Sequence, residues 1–320
     1  MKLEEKTLRM GAAAVLIAVV LRIFVPADFG YLFSGDGLLS VMTFLGTGRW
    51  VQNVQPPETQ IPSFIPEEPA QAVFSLQELD AISLHNPNGY TADLQSALCT
   101  PLGWQLANGQ PAVLIVHSHA SEAFSNCAGW RSENTAYNMV SIGDRVGALL
   151  EKAGIQVIHD RSLHDFPSYD AAYDKSRTSI ESYLTQYPSI RLVLDLHRDA
   201  GEDANGHQVG YTADYNGQDA ATMMLVVSAY DYGGNAAWQR NLSFATKLQL
   251  QLEQLSPGIC RPLVLRSYHY NQDICPTGLL IEMGFAGNDQ EEVLRSAEVL
   301  AEAIIALQNG SEVITAVSAE

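Results

Sequence analysis

The sequence predicts an α/β fold: a mostly parallel, twisted sheet with helices on both faces. Three observations carry this. From residue 111 to residue 308, short apolar runs alternate with stretches of helical period, the order that builds parallel sheets through crossover helices. The run RLVLDLH at 191–197 is nearly continuous in its apolar character, as strands covered on both faces are. Gly, Pro and Asn fall between the runs and punctuate them.

Each element has its own warrant. PAVLIVH at 111–117 is a short β-type run. Over 134–153, Met139, Ile142, Val146 and Leu149 recur at helical spacing, and Gly154 stands where the residue after a helix is expected. GIQVIHD supplies the next strand, and the Tyr- and Ser-rich stretch 168–187 reads as helix. RLVLDLH, TMMLVVSA, PLVLRS and GLLIEMGF are further strands. Between the second and third of these, Leu242, Ala245, Leu248, Leu252 and Leu255 define a helix over 236–255. A final helix spans 289–308, with Asn288 as its expected N-cap and Glu291 closing a capping box.

With 320 residues, 47% of them hydrophobic, the chain can bury a full core. Acidic residues number 36 against 18 basic ones, a net charge of −18, which argues against nucleic acid as a partner. Cys99, Cys127, Cys260 and Cys275 lack the spacing of a cysteine zinc site. Outside the cytosol Cys260 and Cys275 are candidates for a disulfide.

Four regions follow along the chain. Residues 1–27 hold a mixed-charge head and the apolar run GAAAVLIAVVLRIFV, read as a membrane anchor. An uncleaved or cleaved signal is the competing reading. Basic residues before the run favour a cytoplasmic N-terminus, a single pass through the cell membrane and an extracytoplasmic remainder. Residues 28–110 are expected to form a Pro-rich linker and juxtamembrane segment, 111–309 the α/β domain, and 310–320 a disordered tail.

Titratable groups collect where the apolar runs end. The first run ends in His117 and His119, the run at 192–196 in His197, and the run at 278–281 in Glu282; Glu133 opens the following helical stretch. Ligand sites of open α/β sheets lie beyond the carboxyl ends of the strands. Two imidazoles and a carboxylate suit a catalytic zinc ion, which keeps a fourth position open, and a further carboxylate is then needed to move the proton. A single histidine at a strand end is more often a hydrogen-bonded loop residue, so the weight rests on several such ends together. An unpaired carboxylate after LLI is the hardest to explain as structure alone.

VLIVHSHASEAF, RSENTAYNMVSIGDRVGALLEKAGI, RLVLDLHRDA and HYNQDICPTGLLIEMG resemble, in order, the motifs of the stage II sporulation protein P family, over about residues 111–308. These are membrane-anchored cell-wall hydrolases related to zinc-dependent N-acetylmuramoyl-L-alanine amidases. The resemblance implies an amidase-like fold, a Zn2+ cofactor and peptidoglycan as partner. It also implies cleavage between muramic acid and the first L-alanine of the stem peptide, with an endopeptidase activity on cross-links. It implies a setting in septal wall remodelling during engulfment, beside the stage II sporulation proteins D and M. Carried over by residue, His119, Glu133 and His197 are the metal ligands and Glu282 the catalytic glutamate. Glu122 rivals Glu133, because His119-Ala-Ser-Glu122 has the H-x-x-E form of zinc carboxypeptidases. His117 is an alternative ligand or a neighbour of the ligands. Arg198 is expected to anchor a stem-peptide carboxylate, and Asn271 and Gln272 to bind substrate amides. A stem-peptide carboxypeptidase and a non-catalytic wall-binding scaffold are the competing functions.

Overall fold

Seven strands form the central sheet of the computed structural model, which describes residues 72–127, 129–230, 236–309 and 313–315. The expected anchor and the linker as far as residue 71 lie outside the described residues. No helix among those described is long and apolar enough to cross a membrane.

The elements run β1 (Val73–Ser75), β2 (Leu84–His85), α1 (Leu94–Cys99), β3 (Val113–Val116), α2 (Met139–Lys152), β4 (Val157–His159) and α3 (Ala172–Gln186). They continue with β5 (Leu192–Asp199), β6 (Thr212–Tyr215), β7 (Gln218–Ala221), β8 (Met223–Ser228) and α4 (Ala236–Leu255). Last come β9 (Leu263–Arg266), β10 (Gly278–Phe285), α5 (Gln290–Ala306) and β11 (Val313–Thr315). The sheet order is β2-β9-β8-β10-β5-β3-β4. Every neighbouring pair is parallel except β10 and β8, which meet antiparallel at its middle.

The period-2 alternation of β5 divides the core. Leu192, Leu194 and Leu196 join a large apolar cluster with residues of α1, α2, α4 and α5. Val193 belongs to a smaller cluster with Leu114, Val116 and Ile180, covered by α3. The other half of that second face carries Val226, Val264 and Leu280 with Tyr270 against them, and no helix packs there among the described residues. That uncovered half becomes the floor of a cleft.

Local chemistry explains most boundaries. Asn138 caps α2 by accepting from Val140 N, and Gly154 follows the helix at φ 85°. The capping box of α5 sits one residue later than expected: Asp289 is the cap and Glu292 its partner. Asn288 instead accepts from Phe285 N and donates to Tyr211 O and Glu292 Oε2, tying β10 to the helix.

Three expectations need correction. Residues 72–110 are part of the core rather than a segment before it. Phe74, Leu98, Trp104 and Leu106 are buried, β2 pairs with β9, and the Trp104 indole donates to Leu307 O. The tail is not wholly without structure, since β11 pairs parallel with β1. Cys260 and Cys275 are both free: Cys275 packs with the cluster beneath α3, Cys260 against the large cluster on the other side of the sheet.

Candidate metal centre and its cleft

His197 is the third inward residue of β5 on the α3 side, after Val193 and Asp195. Parallel pairing of β5 with β10 sets Glu282 directly beside it. His119 and Glu122 come from the turn that follows β3, where Glu122 N donates to His119 O. The outcome is a group of three donors: one ligand atom each from His119, Glu122 and His197 lies within 4.8 Å of the others.

The carboxylate of Glu122 stands between the imidazoles, Oε1 3.5 Å from His119 Nδ1 and Oε2 3.7 Å from His197 Nδ1. Arg198 N donates to the same Oε2 at 3.1 Å, which fixes its orientation. Burial opposes ionisation of Glu122, yet His119 and His197 hold its carboxyl below the ordinary range. Behind His197, Asp195 Oδ1 lies 2.8 Å from Nε2, close but off the line of a good hydrogen bond. Ser118 holds Asp195 through its backbone N–H at 2.8 Å and its hydroxyl at 2.7 Å. Burial disfavours charge on His197 as well, but Asp195, then Glu122 and Glu282, lift its pKa to about 10. An imidazole so surrounded by carboxylates holds a cation, whether proton or metal.

Glu282 completes the site. Its Oε2 is buried with no hydrogen-bond partner among the described residues, a costly arrangement unless a cation or substrate closes it. Burial pushes its pKa up to about 8, with Glu122 and Asp199 adding to the rise against the pull of His197 and Arg261. Two histidines, a carboxylate and an orphaned carboxylate oxygen beside them fit a catalytic zinc ion with an open position.

The geometry separates the residues expected from sequence. It brings together His119, Glu122, His197 and Glu282. Glu133 is not among them: it is exposed and lines a neighbouring surface pocket with Asp165 and Phe166. The chain makes a detour between Glu122 and Glu133, pinned where Ser132 N donates to Ser121 O, and this carries Glu133 outward. His117 faces the opposite side of the sheet, so it neither replaces His119 nor faces substrate; its Nδ1 is 2.9 Å from Leu196 O and its Nε2 2.9 Å from His159 Nε2. Arg198 borders the cleft, but its guanidinium donates to Ala123 O and Trp130 O, which clamps the metal-side loop in place. Its neighbour Asp199 pairs with Arg261. Asn271 and Gln272 are buried framework: Asn271 donates to Tyr173 O and Ser176 Oγ, Gln272 to Val226 O while accepting from Ser228 N.

Three participants escaped sequence reading. Asp195 was signalled by D-L-H in β5, because residues two apart on a strand share a face. Tyr169 and Tyr173 wall the site, Tyr169 stacked on His119 at 4.3 Å and Tyr173 edge-on to it at 5.4 Å. Their Tyr-rich stretch was visible only as helix. Burial, reinforced by Asp195, raises the Tyr173 phenol and keeps it protonated. From this end the cleft, about 420 Å³, runs over Met224, Val226 and Leu280 to Arg266 and Tyr270.

Comparison with known proteins gives the lineage. Stage II sporulation protein P of Bacillus subtilis (strain 168) is 24% identical over 232 residues, which cover 68% of this chain and 56% of that protein. The chain therefore matches little more than half of that relative's length. Among solved structures, the N-acetylmuramoyl-L-alanine amidase AmiC2 of Nostoc punctiforme is 18% identical with a TM-score of 0.38, over 63% of this chain and 95% of that one. The amidase Ami1 of Mycobacterium smegmatis is 14% identical with a TM-score of 0.40, over 64% and 100%. The CwlD amidase of Clostridioides difficile, solved in complex with the GerS lipoprotein, is 15% identical with a TM-score of 0.39, over 62% and 95%. The family model of Stage II sporulation protein P (SpoIIP) matches residues 55–305, a span that contains His119, Glu122, His197 and Glu282, and this chain belongs to that family.

Proposed function

We propose that the chain is a zinc-dependent peptidoglycan hydrolase that cuts the amide between N-acetylmuramic acid and the L-alanine of the stem peptide. In this reading it works on the outer side of the membrane, in wall remodelling during sporulation. The observation that carries it is the donor group His119–Glu122–His197 beside a buried Glu282 oxygen that has no hydrogen-bond partner among the described residues, all opening into one cleft.

His119, Glu122 and His197 would hold the zinc ion, whose contribution is Lewis-acid polarisation of the amide carbonyl and acidification of water. Asp195 sets the His197 ring from behind, as outer-shell carboxylates do for ligating histidines. Glu282, beside the donor group in the cleft, can take the proton from attacking water and return it to the leaving nitrogen. Tyr173, kept neutral beside both imidazoles, offers a hydroxyl donor to the reacting carbonyl and helps exclude water.

Digestion of purified peptidoglycan with and without a chelator, followed by mass spectrometry, tests the reading. An amidase frees the intact stem peptide with an N-terminal alanine; the reading fails if zinc-loaded protein frees none. A stem-peptide carboxypeptidase is the second reading, favoured by the H-x-x-E spacing of His119 and Glu122 within the donor group. It would release single C-terminal residues instead.

A further inference from the structure

The far end of the cleft holds a cation with no hydrogen-bond or ion-pair partner among the described residues. Three guanidiniums line the cleft, and two of them are spent: Arg131 on Asp165 and Ser121, Arg198 on Ala123 O and Trp130 O. The third, Arg266, is exposed, and its side chain makes no hydrogen bond or ion pair among the described residues. In a protein of net charge −18 whose cleft also holds Glu122, Asp199 and Glu282, an idle guanidinium is out of keeping with its surroundings.

The strand register places it. Glu282 on β10 pairs with Met224 on β8, and Ser228 on β8 pairs with Arg266 on β9. Arg266 is therefore four residues along β8 and two strands across from Glu282. That is about 13 Å along and about 10 Å across at usual sheet spacings. It shares a sheet face with Val264, whose cluster partners Val226 and Leu280 floor the path between. The direct path is then about 16 Å, which an extended peptide of about five residues covers.

Resting on the amidase reading above, we propose that Arg266 is the specificity anchor of the cleft, binding a free carboxylate of the stem peptide several residues beyond the scissile amide. The peptide then runs along the apolar floor from Glu282 toward β9, and the glycan leaves from the His119 end. The anchor takes the role that sequence alone suggested for Arg198. A guanidinium meets a carboxylate through paired N–H donors, so both charge and shape are selected.

The test is equilibrium binding to the full chain in the presence of a chelator, which prevents turnover. The probes are an N-acetylmuramoyl pentapeptide with free carboxylates and the same molecule with those carboxylates amidated. The wild type should bind the free-acid form about tenfold more tightly, the size of one charge-assisted contact. Arg266→Gln should abolish that preference and Arg266→Lys retain part of it. Arg191→Gln, at the opposite end of β5, should leave it unchanged. Equal affinity of the wild type for both probes, including no measurable binding of either, would overturn the proposal. So would a preference that survives in Arg266→Gln. The readout is independent of cleavage: if the wall digest yields no intact stem peptide, the amidase reading falls by itself.

Discussion

His117 and His119 lie two residues apart, yet each belongs to a different cluster of imidazoles and carboxylates, one on either face of the sheet. Under α2, His117 Nδ1 donates to Leu196 O, its Nε2 meets His159, and His159 Nδ1 reaches Asp144 Oδ1 at 2.8 Å, where Arg161 also donates. Every ring nitrogen there has a partner inside the protein. On the other face, His119, Glu122 and His197 converge without closing, and Glu282 Oε2 has no hydrogen-bond partner among the described residues. The imidazoles of both groups are largely buried, and both groups are rich in histidine and acid. What separates a structural cluster from a reactive one is whether its polar valences are satisfied within the fold.

Substitution should divide the two clusters sharply. The largest effects belong to the open one. His197→Ala and Glu122→Ala should lose both bound zinc and hydrolysis, measured by metal analysis and by release of stem peptide. Glu282→Gln should keep its zinc and lose roughly 10²–10⁴ of its turnover, the contribution of a positioned proton-transfer group. A Glu282→Gln protein that digests wall at the wild-type rate would remove the role given to that residue. Glu133→Ala should change zinc content and rate by less than about threefold, because its side chain is exposed and outside the donor group. The reverse ranking of Glu122 and Glu133 would dissolve the distinction drawn here.

The same contrast shows what could be read from residues alone. The strands around the site were legible because β3, β5 and β10 are apolar runs that end in His and Glu, and their register then brings Glu282 beside His197. Which side His117 faces was not legible, since it turns on where β3 stops and the loop begins. Glu122 and Glu133 are distinguished only by the fold of the loop between them, which depends on Arg198, ordered by a distant strand. The hairpin of β6 and β7 was missed despite a clear signal: Asn216-Gly217 takes positive φ at both positions, as a tight two-residue turn requires. The strands and helix before residue 110 were too short and mixed to show a period, and they become visible only through what they cover.

In the closed cluster, a change of smaller size tests how tightly the satisfied groups are packed. A Cβ on Gly143 would meet His117 Nε2 and His159 Nε2, both at 2.6 Å. Gly143→Ala gains about 1 kcal/mol of helix propensity in α2. Against that stands overpacking of roughly 1–3 kcal/mol and the strained contact between two rings that cannot retreat. We expect net destabilisation of about 1–2 kcal/mol in a denaturant titration, with zinc binding unchanged. A stabilised variant would mean that the His117–His159 contact yields easily, and with it the idea that this cluster is closed by packing.

The smallest expected effect is a pH slope. Burial, reinforced by His159, pushes the pKa of His117 down to about 3 from its ordinary value of 6.5. The folded protein therefore keeps His117 neutral where the unfolded chain protonates it. Its contribution is fully present above pH 6.5 and is lost progressively as pH falls from 6.5 toward 3. Between pH 6.5 and 5.5 this one group should lower stability by about 1 kcal/mol. Removing the imidazole in His117→Gln costs stability at every pH by breaking the contact with His159, so absolute values do not isolate the titration. The difference between pH 7 and pH 5.5 does: it should be about 1 kcal/mol smaller in the variant than in the wild type. If the two slopes coincide, His117 carries a proton in the folded state, and the valence between it and His159 is not closed as its geometry indicates.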